Sequence, residues 1–345
     1  MTEGEGSRSW RGIVGSRSAP RADAYIADVS GVLSRSQIKA RGAVIRVNGA
    51  IAKPSRSLKE GDSLEVIWTE EETASIEAEE IPLSVLYQDE RVIVVDKAQG
   101  MVTHPGAGNR HGTLANALLF MALRASAARD ASPGENSASR APAAGPAMRP
   151  ATRPAMRAGI VHRLDKDTSG VIVAAKDLEA QVFLAEQFKE RLVRKEYLAI
   201  TRGIPSPASG RIANRLGRDR RERKRFAAVS EGGKVAVTDY RVLVRWNLAA
   251  KSGEGYAFVS LRPRTGRTHQ LRVHMAGLGT PILGDPIYGR KDGRFPAASL
   301  MLHAHRLKIV LPDGDCPVLF SASLPRRFED IIEALSLAFG RGVPS

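Results

Sequence analysis

Two short stretches hold residues whose types and spacing suit chemistry. The first, His162-Arg163-Leu164-Asp165-Lys166-Asp167-Thr168-Ser169-Gly170, puts two carboxylates, two strongly basic side chains and two hydroxyls into nine residues. It lies between an apolar Gly159-Ile160-Val161 and the apolar run Val171 to Ala175. A loop held there on a rigid scaffold would present a carboxylate for nucleophilic or acid–base work, with a cation beside it. A charged surface turn, with Asp167 or Thr168 as a helix cap, is the plainer reading of the same residues.

The second stretch is Arg262-Pro263-Arg264-Thr265-Gly266-Arg267-Thr268-His269-Gln270-Leu271-Arg272-Val273-His274. Thr268 is placed to cap a helix whose buried stripe is Leu271, Met275 and Leu278. His269 and Arg272 stand three apart and share a face of that helix. Arginines at a helix start suit phosphate, as planar donors aided by the helix dipole. A basic surface helix with ordinary ion pairs is the competing reading.

Elements must carry these stretches. Val171 to Ala175 predicts a strand, followed by a helix capped by Asp177 with Leu184, Phe188 and Leu192 as its stripe. Lys195 to Ile200 predicts the next strand. Upstream, Val85-Leu86-Tyr87 and Val92-Ile93-Val94-Val95 predict two buried strands, and Leu114 to Leu123 a helix. Strands and helices alternate without a β-α-β period. That predicts an α+β catalytic domain with a largely antiparallel sheet, over residues 82–330. Residues 125–157 contain no aromatic, Leu, Ile or Val, which predicts a disordered insertion. A C-terminal helix and tail are expected over 331–345.

Before this domain the composition changes. Residues 1–20 are expected to be a disordered tail and 21–69 a small α+β module. In the module Ser34-Arg35-Ser36-Gln37 has the form of a capping box, Gly42 stops the helix, and Val44 to Val47 forms a strand. Asn48-Gly49 is a hairpin turn signal, and Gly61-Asp62 leads into a strand from Ser63 to Trp68. Six glutamates between Glu70 and Glu80 make 70–81 an acidic linker.

Lys and Arg number 52 against 37 Asp and Glu, a net charge of +15, which points to a polyanionic partner. With 43% hydrophobic residues, wholesale disorder is excluded. The single cysteine, Cys316, excludes an intramolecular disulfide and is expected to be a small, at least partly buried hydrophobe. The first fifteen residues lack the apolar core of a signal peptide, and no apolar run approaches the ~20 residues that span a bilayer. A cytoplasmic protein with no membrane partner is expected. Gly106 to Gly112 misses the G-x-G-x-x-G spacing, His303 and His305 have no evident third metal ligand, and no G-x-S-x-G occurs.

These motifs carry a resemblance. His162-Arg163-Leu164-Asp165 with Thr168-Ser169-Gly170, then Lys195-Glu196-Tyr197, then Thr265 to His274, resembles the RluA/RluD family of RNA pseudouridine synthases. Leu283-Gly284-Asp285-Pro286-Ile287-Tyr288-Gly289, Leu302-His303-Ala304 and Val102-Thr103-His104-Pro105-Gly106 continue the likeness, which runs from about Pro82 to Arg327. The amino-terminal module is similar to the small RNA-binding domain named after ribosomal small-subunit protein four. The resemblance implies a mixed, largely antiparallel sheet with a central cleft, and isomerisation of uridine without cofactor or metal, most readily in large-subunit ribosomal RNA, free or in pre-ribosomal particles, by a monomer. Transfer RNA is the alternative substrate, and a non-catalytic ribosome-assembly factor the alternative from another class. It implies Asp165, Tyr197 and Arg272 as the catalytic set, with Arg272 paired to Asp165. Arg163, Arg267 and His269 would meet the RNA, as would Arg35, Lys39 and Arg41 of the module and the basic run Arg220, Arg221 and Arg223.

Overall fold

The computed structural model describes residues 7–15, 21–33, 35–69, 76–106, 108–130, 159–219, 221–222, 225–247 and 255–344. The chain divides into two units, Met1–Ser75 and Ile76–Ser345.

The first unit is a four-stranded antiparallel sheet with short helices. Strands β1 (Ser7–Ile13), β2 (Val44–Val47), β3 (Ala50–Ala52) and β4 (Ser63–Thr69) take the order β1-β4-β2-β3. Helix α1 (Ala22–Ala24) widens into a looser turn over Tyr25–Ser30, and α2 is Arg35–Ala40. Tyr25, Ile26, Leu33 and Ile38 pack with Ile45, Leu64, Val66 and Trp68 in one apolar core. Asn48 (φ 50°) and Gly49 (φ 78°) are both left-handed, so the β2–β3 hairpin turns as its sequence requires. The expected tail needs correcting, because β1 pairs with β4 along its whole length while Trp10 packs on the core and Val14 is buried. Ser34, the expected N-cap of α2, lies outside the described residues.

The second unit is α+β around a mixed, largely antiparallel sheet, as expected. Its strands are β5 (Ser84–Gln88), β6 (Val92–Lys97), β7 (Ser169–Ala175), β8 (Arg194–Arg202), β9 (Ser209–Arg218), β10 (Phe226–Ala228), β11 (Lys234–Asn247), β12 (Gly255–Pro263), β13 (Leu302–Val310), β14 (Pro317–Ser321) and β15 (Val343–Pro344). The main path is β10-β9-β11-β12-β8-β13-β7-β6-β5, with β14 beside β13 and β15 beside β11. Among the strands of the described residues only β7 and β13 run parallel, and they pair through Ser169–His303 and Gly170–Ala304. Gly170 has φ +117°, and a Cβ there would stand 2.2 Å from the Ala304 carbonyl oxygen. Glycine is therefore required where the first motif enters the sheet.

Helices α3 (Leu114–Asp130), α4 (Leu178–Lys189), α5 (Gln270–Gly277) and α6 (Arg326–Phe339) complete the unit. Asp177 caps α4 as predicted, its carboxylate accepting from the Ala180 amide at 2.8 Å. Several expectations fail for physical reasons. Strand β5 is exposed throughout, because it is the sheet's edge and only one neighbour covers it. Leu192 falls beyond the end of α4 and is exposed. Helix α3 runs through 125–130, so the expected insertion begins inside a helix, and 131–158 lie outside the described residues. Helix α6 starts before residue 331 and buries Phe328 and Leu335 in the core beside Trp246 and Leu261, so it belongs to the domain. Cys316 is exposed, next to Pro317 in the turn between β13 and β14.

Candidate active site

Asp165 sits on the loop that enters β7, and that loop is held almost entirely through its backbone. The ammonium of Lys97, fully buried at the end of β6, donates to the carbonyls of Ala98 (2.9 Å), Met101 (2.8 Å) and Lys166 (3.2 Å). All three of its hydrogens thus find acceptors. Burial still lowers its pKa to about 8, against the pull of Asp165 and Asp167. Thr103 donates to the Leu164 carbonyl at 2.8 Å, and the Gln99 amide to that of Asp167 at 3.0 Å.

On the other flank, His162 Nε2 accepts from the Val173 amide at 3.0 Å, and its ring stacks on Phe188 at 4.4 Å. Burial drives its pKa down to about 3, so the ring is a neutral acceptor that completes the free edge of β7. His162 is thus a structural residue of the loop, and Leu164, next to Asp165, is buried.

Arg272 projects from α5 and is 4% exposed. Its Nε and Nη2 donate to the two oxygens of Asp285, both at 2.7 Å. Its Nη1 lies 3.8 Å from Asp165 Oδ2. Arg272 thus pairs with Asp165 as expected, through the remaining edge of the guanidinium; the two short bonds, which the sequence reading did not foresee, go to Asp285. Asp285 also accepts from the amides of Ile287 (2.8 Å) and Tyr288 (3.0 Å). Burial alone would raise its pKa, but Arg272 and these amides hold it below the ordinary carboxylate value. The Arg272 guanidinium is pushed up in turn, against the effect of its own burial.

Tyr197 reaches the site from β8, and burial with the Asp165 charge pushes its phenol well up. It stays protonated, which leaves it a hydroxyl donor and a ring face. Thr268 does not cap α5. The capping position is His269, in the left-handed conformation (φ 55°, ψ 15°), and Gln270 folds back to accept from Thr265 Oγ1 (2.7 Å) and the Arg267 amide (3.1 Å). Arg267 donates through Nε to the Val235 carbonyl at 3.0 Å. His269 Nε2 lies 4.0 Å from Asp165 Oδ2.

Asp165, Tyr197, Arg272, Arg163, Arg267 and His269 thus line one cleft of about 400 Å³. Among its lining residues Asp165 is the sole carboxylate against seven Lys and Arg side chains. One acid in a basic cleft suits a polyanion whose reacting atoms need a single carboxylate. Arg35, Lys39 and Arg41 lie in the first unit, Arg221 follows β9 outside the cleft lining, and Arg220 and Arg223 fall outside the described residues. His303 and His305 both turn a ring nitrogen to the Ala322 carbonyl. Among the described residues no group of three His, Cys, Asp or Glu has the placement of a metal site. Asp285, Lys97 and Tyr288 are functional neighbours that the sequence reading assigned no role. Asp285 and Tyr288 do lie in the Leu283–Gly289 stretch that carries the resemblance, and an acid before proline is the local signal for Asp285.

The sequence model of the family described as RNA pseudouridylate synthase matches residues 91–277. The ribosomal large subunit pseudouridine synthase D of Borreliella burgdorferi is 37% identical over 317 residues, covering 90% of this chain and 88% of that protein. That of Xanthomonas campestris pv. campestris is 37% identical over 332 residues, covering 91% and 88%. Among solved structures, human RNA pseudouridylate synthase domain containing 4 superposes with a TM-score of 0.52 at 27% identity, over 76% of this chain and 95% of that one.

Proposed function

The chain belongs to the RNA pseudouridylate synthase family, and on that premise we propose that it isomerises specific uridines of large-subunit ribosomal RNA. The relatives named for that substrate align over nine-tenths of this chain, which reaches into the first unit. In the reaction the bond from uracil nitrogen 1 to the ribose breaks, the base turns, and its carbon 5 bonds to the ribose; carbon 5 loses a proton and nitrogen 1 gains one. Nothing is oxidised and no group is imported.

The observation that carries the assignment of roles is Asp165 as the lone carboxylate of the basic cleft, 3.8 Å from the Arg272 guanidinium. It acts as the nucleophile or as the base that starts elimination, and Arg272 supplies the counter-charge that makes an ionised carboxylate tolerable there. Tyr197 offers its ring to the uracil and its hydroxyl as a donor. Arg163, exposed at the cleft, fills the gap left by the extruded nucleotide or holds its phosphate. The first unit is an RNA-binding domain of the small-subunit protein four type, with Arg35, Lys39 and Arg41 meeting phosphates, and the run Arg220, Arg221 and Arg223 adds backbone contacts. The protein works as a cytoplasmic monomer on ribosomal RNA, free or in pre-ribosomal particles.

Tritium release from uridine labelled at carbon 5, beside a binding titration on the same RNA, tests this reading. Wild type is expected to release tritium from large-subunit RNA, and Asp165→Asn to bind that RNA while releasing none. Release by Asp165→Asn near the wild-type rate removes Asp165 from its role. Release only from transfer RNA replaces the substrate.

A further inference from the structure

We propose that His269 and Tyr288 are a positioning pair for Asp165, in which Tyr288 fixes the His269 tautomer that carries its hydrogen on Nε2. The inference rests on the role given to Asp165 above.

The polarity follows from one backbone amide. The N–H of Phe226 donates to the Tyr288 hydroxyl oxygen at 2.9 Å. A backbone amide can only donate, so the phenol's own hydrogen is directed elsewhere, and His269 Nδ1 stands 2.9 Å away. A ring nitrogen that accepts carries no hydrogen. In the neutral imidazole the hydrogen is then on Nε2, the nitrogen 4.0 Å from Asp165 Oδ2.

The ring has little freedom to do otherwise. Phe226 and Tyr288 meet it edge-on, with centroids at 5.9 and 5.6 Å. His269 also holds a left-handed backbone, a conformation that strains a residue with a Cβ and persists where its surroundings impose it. The same Asp285 that grips Arg272 accepts the Tyr288 amide, so one buried carboxylate orients both arms.

Both arms converge on a single atom. Arg272 Nη1 at 3.8 Å and His269 Nε2 at 4.0 Å approach Asp165 Oδ2. The cation and the neutral donor thus flank the same oxygen, at ion-pair rather than hydrogen-bond distance. The groups around the imidazole agree with a neutral ring. Burial opposes its protonation, as do Arg272 on its own helix and Arg163 on the Asp165 loop, while Asp165 and Asp285 pull the other way. The net direction is downward from the ordinary histidine value.

The test joins a spectroscopic readout to kinetics on the full-length protein. Long-range proton–nitrogen correlation of histidine labelled with nitrogen-15 is expected to show His269 with its hydrogen on Nε2 across neutral pH. Tyr288→Phe is expected to lower kcat for tritium release on the order of 10- to 100-fold, with KM for the RNA nearly unchanged. His269→Gln, whose amide places an N–H near the Nε2 position, should retain more activity than His269→Ala. In the His269→Gln background Tyr288→Phe should cost nothing further, since the tyrosine acts through the ring. A hydrogen on Nδ1 in wild type, or losses that multiply in the double variant, would overturn the proposal. Activity surviving in Asp165→Asn would instead defeat the premise, so the two failures are told apart.

Discussion

Among the described residues, the first unit closes its core with apolar and aromatic side chains such as Ile26, Leu33, Leu64 and Trp68, and buries no charged group. The second unit buries the charges of Lys97, Arg272, Asp285 and Asp292, and with them the neutral rings of His274 and His303. All seven histidines of the chain lie beyond residue 75. Charge left in water binds a polyanion by number and weakens with salt. Charge taken out of water acts strongly on one bond, and it demands a partner for every atom. The larger unit needs its larger core partly to offset that expense, and the contrast can be broken at several points.

The heaviest blow falls on the Arg272–Asp285 pair. Asp285→Ala strands a guanidinium that is 4% exposed, with an expected loss of ~3–5 kcal/mol and of activity. Replacing both partners, Arg272→Met with Asp285→Leu, should recover much of that stability and none of the activity. Denaturant unfolding followed at Trp246, in a chain whose Trp10 and Trp68 are phenylalanine, reads the second unit alone. Equal stability of Asp285→Ala and wild type would mean that the pair is not dry.

Acid should separate the units next. His162 has its pKa lowered to about 3, and His274 and His303 to about 4, each chiefly by burial. In the unfolded chain they bind protons near pH 6.5. A group whose folded pKa is depressed destabilises the fold as pH drops below the unfolded value, so the second unit weakens from about pH 6.5 toward 4. Together the three contribute several kcal/mol, on the order of 3 each at most. The first unit contains no histidine. Its Asp23 and Asp62 carboxylates, lowered by Arg21 and by the Lys59 amide respectively, matter only below about pH 4. Unfolding at pH 5 monitored at Trp246 should therefore fall well before that monitored at Trp10 and Trp68; coincident loss would erase the distinction.

What the sequence made legible divides along the same line. Asn48-Gly49 and the Asp177 cap act within a few residues, and both are found where local chemistry puts them. That Asp165, Tyr197 and Arg272 line one cleft agrees with a family resemblance carried by dense, ordered motifs rather than by local chemistry. The partners that hold them were not legible. Lys97 reaches the Lys166 carbonyl across 69 positions, and β1 meets β4 from some fifty residues away, so neither contact leaves a local pattern. The wetness of Val85, Leu86 and Tyr87 follows from β5 lying at the sheet's edge, which only the full strand order decides. Lys97 turns this into a test: Lys97→Met leaves three carbonyls without a donor, for a loss of ~1–3 kcal/mol and a loosened Asp165 loop. A variant as stable and active as wild type would show that the loop holds itself.

The smallest effect on folding comes where charge stayed in water. Lys39 is exposed and Arg41 only half-buried, in a unit whose core does not involve them. Lys39→Gln with Arg41→Gln should change stability by less than ~0.5 kcal/mol. If both side chains meet phosphates, each releases counterions when RNA binds, and the slope of log affinity against log salt should flatten by roughly 0.7–0.9 per residue. Turnover at saturating RNA should not move, because neither group lines the cleft. The measurement is a binding titration at several salt concentrations beside a single-turnover assay. An unchanged slope would remove these two side chains from the RNA contact. A fall in turnover at saturation would instead mean that the first unit shapes the reaction as well as the encounter.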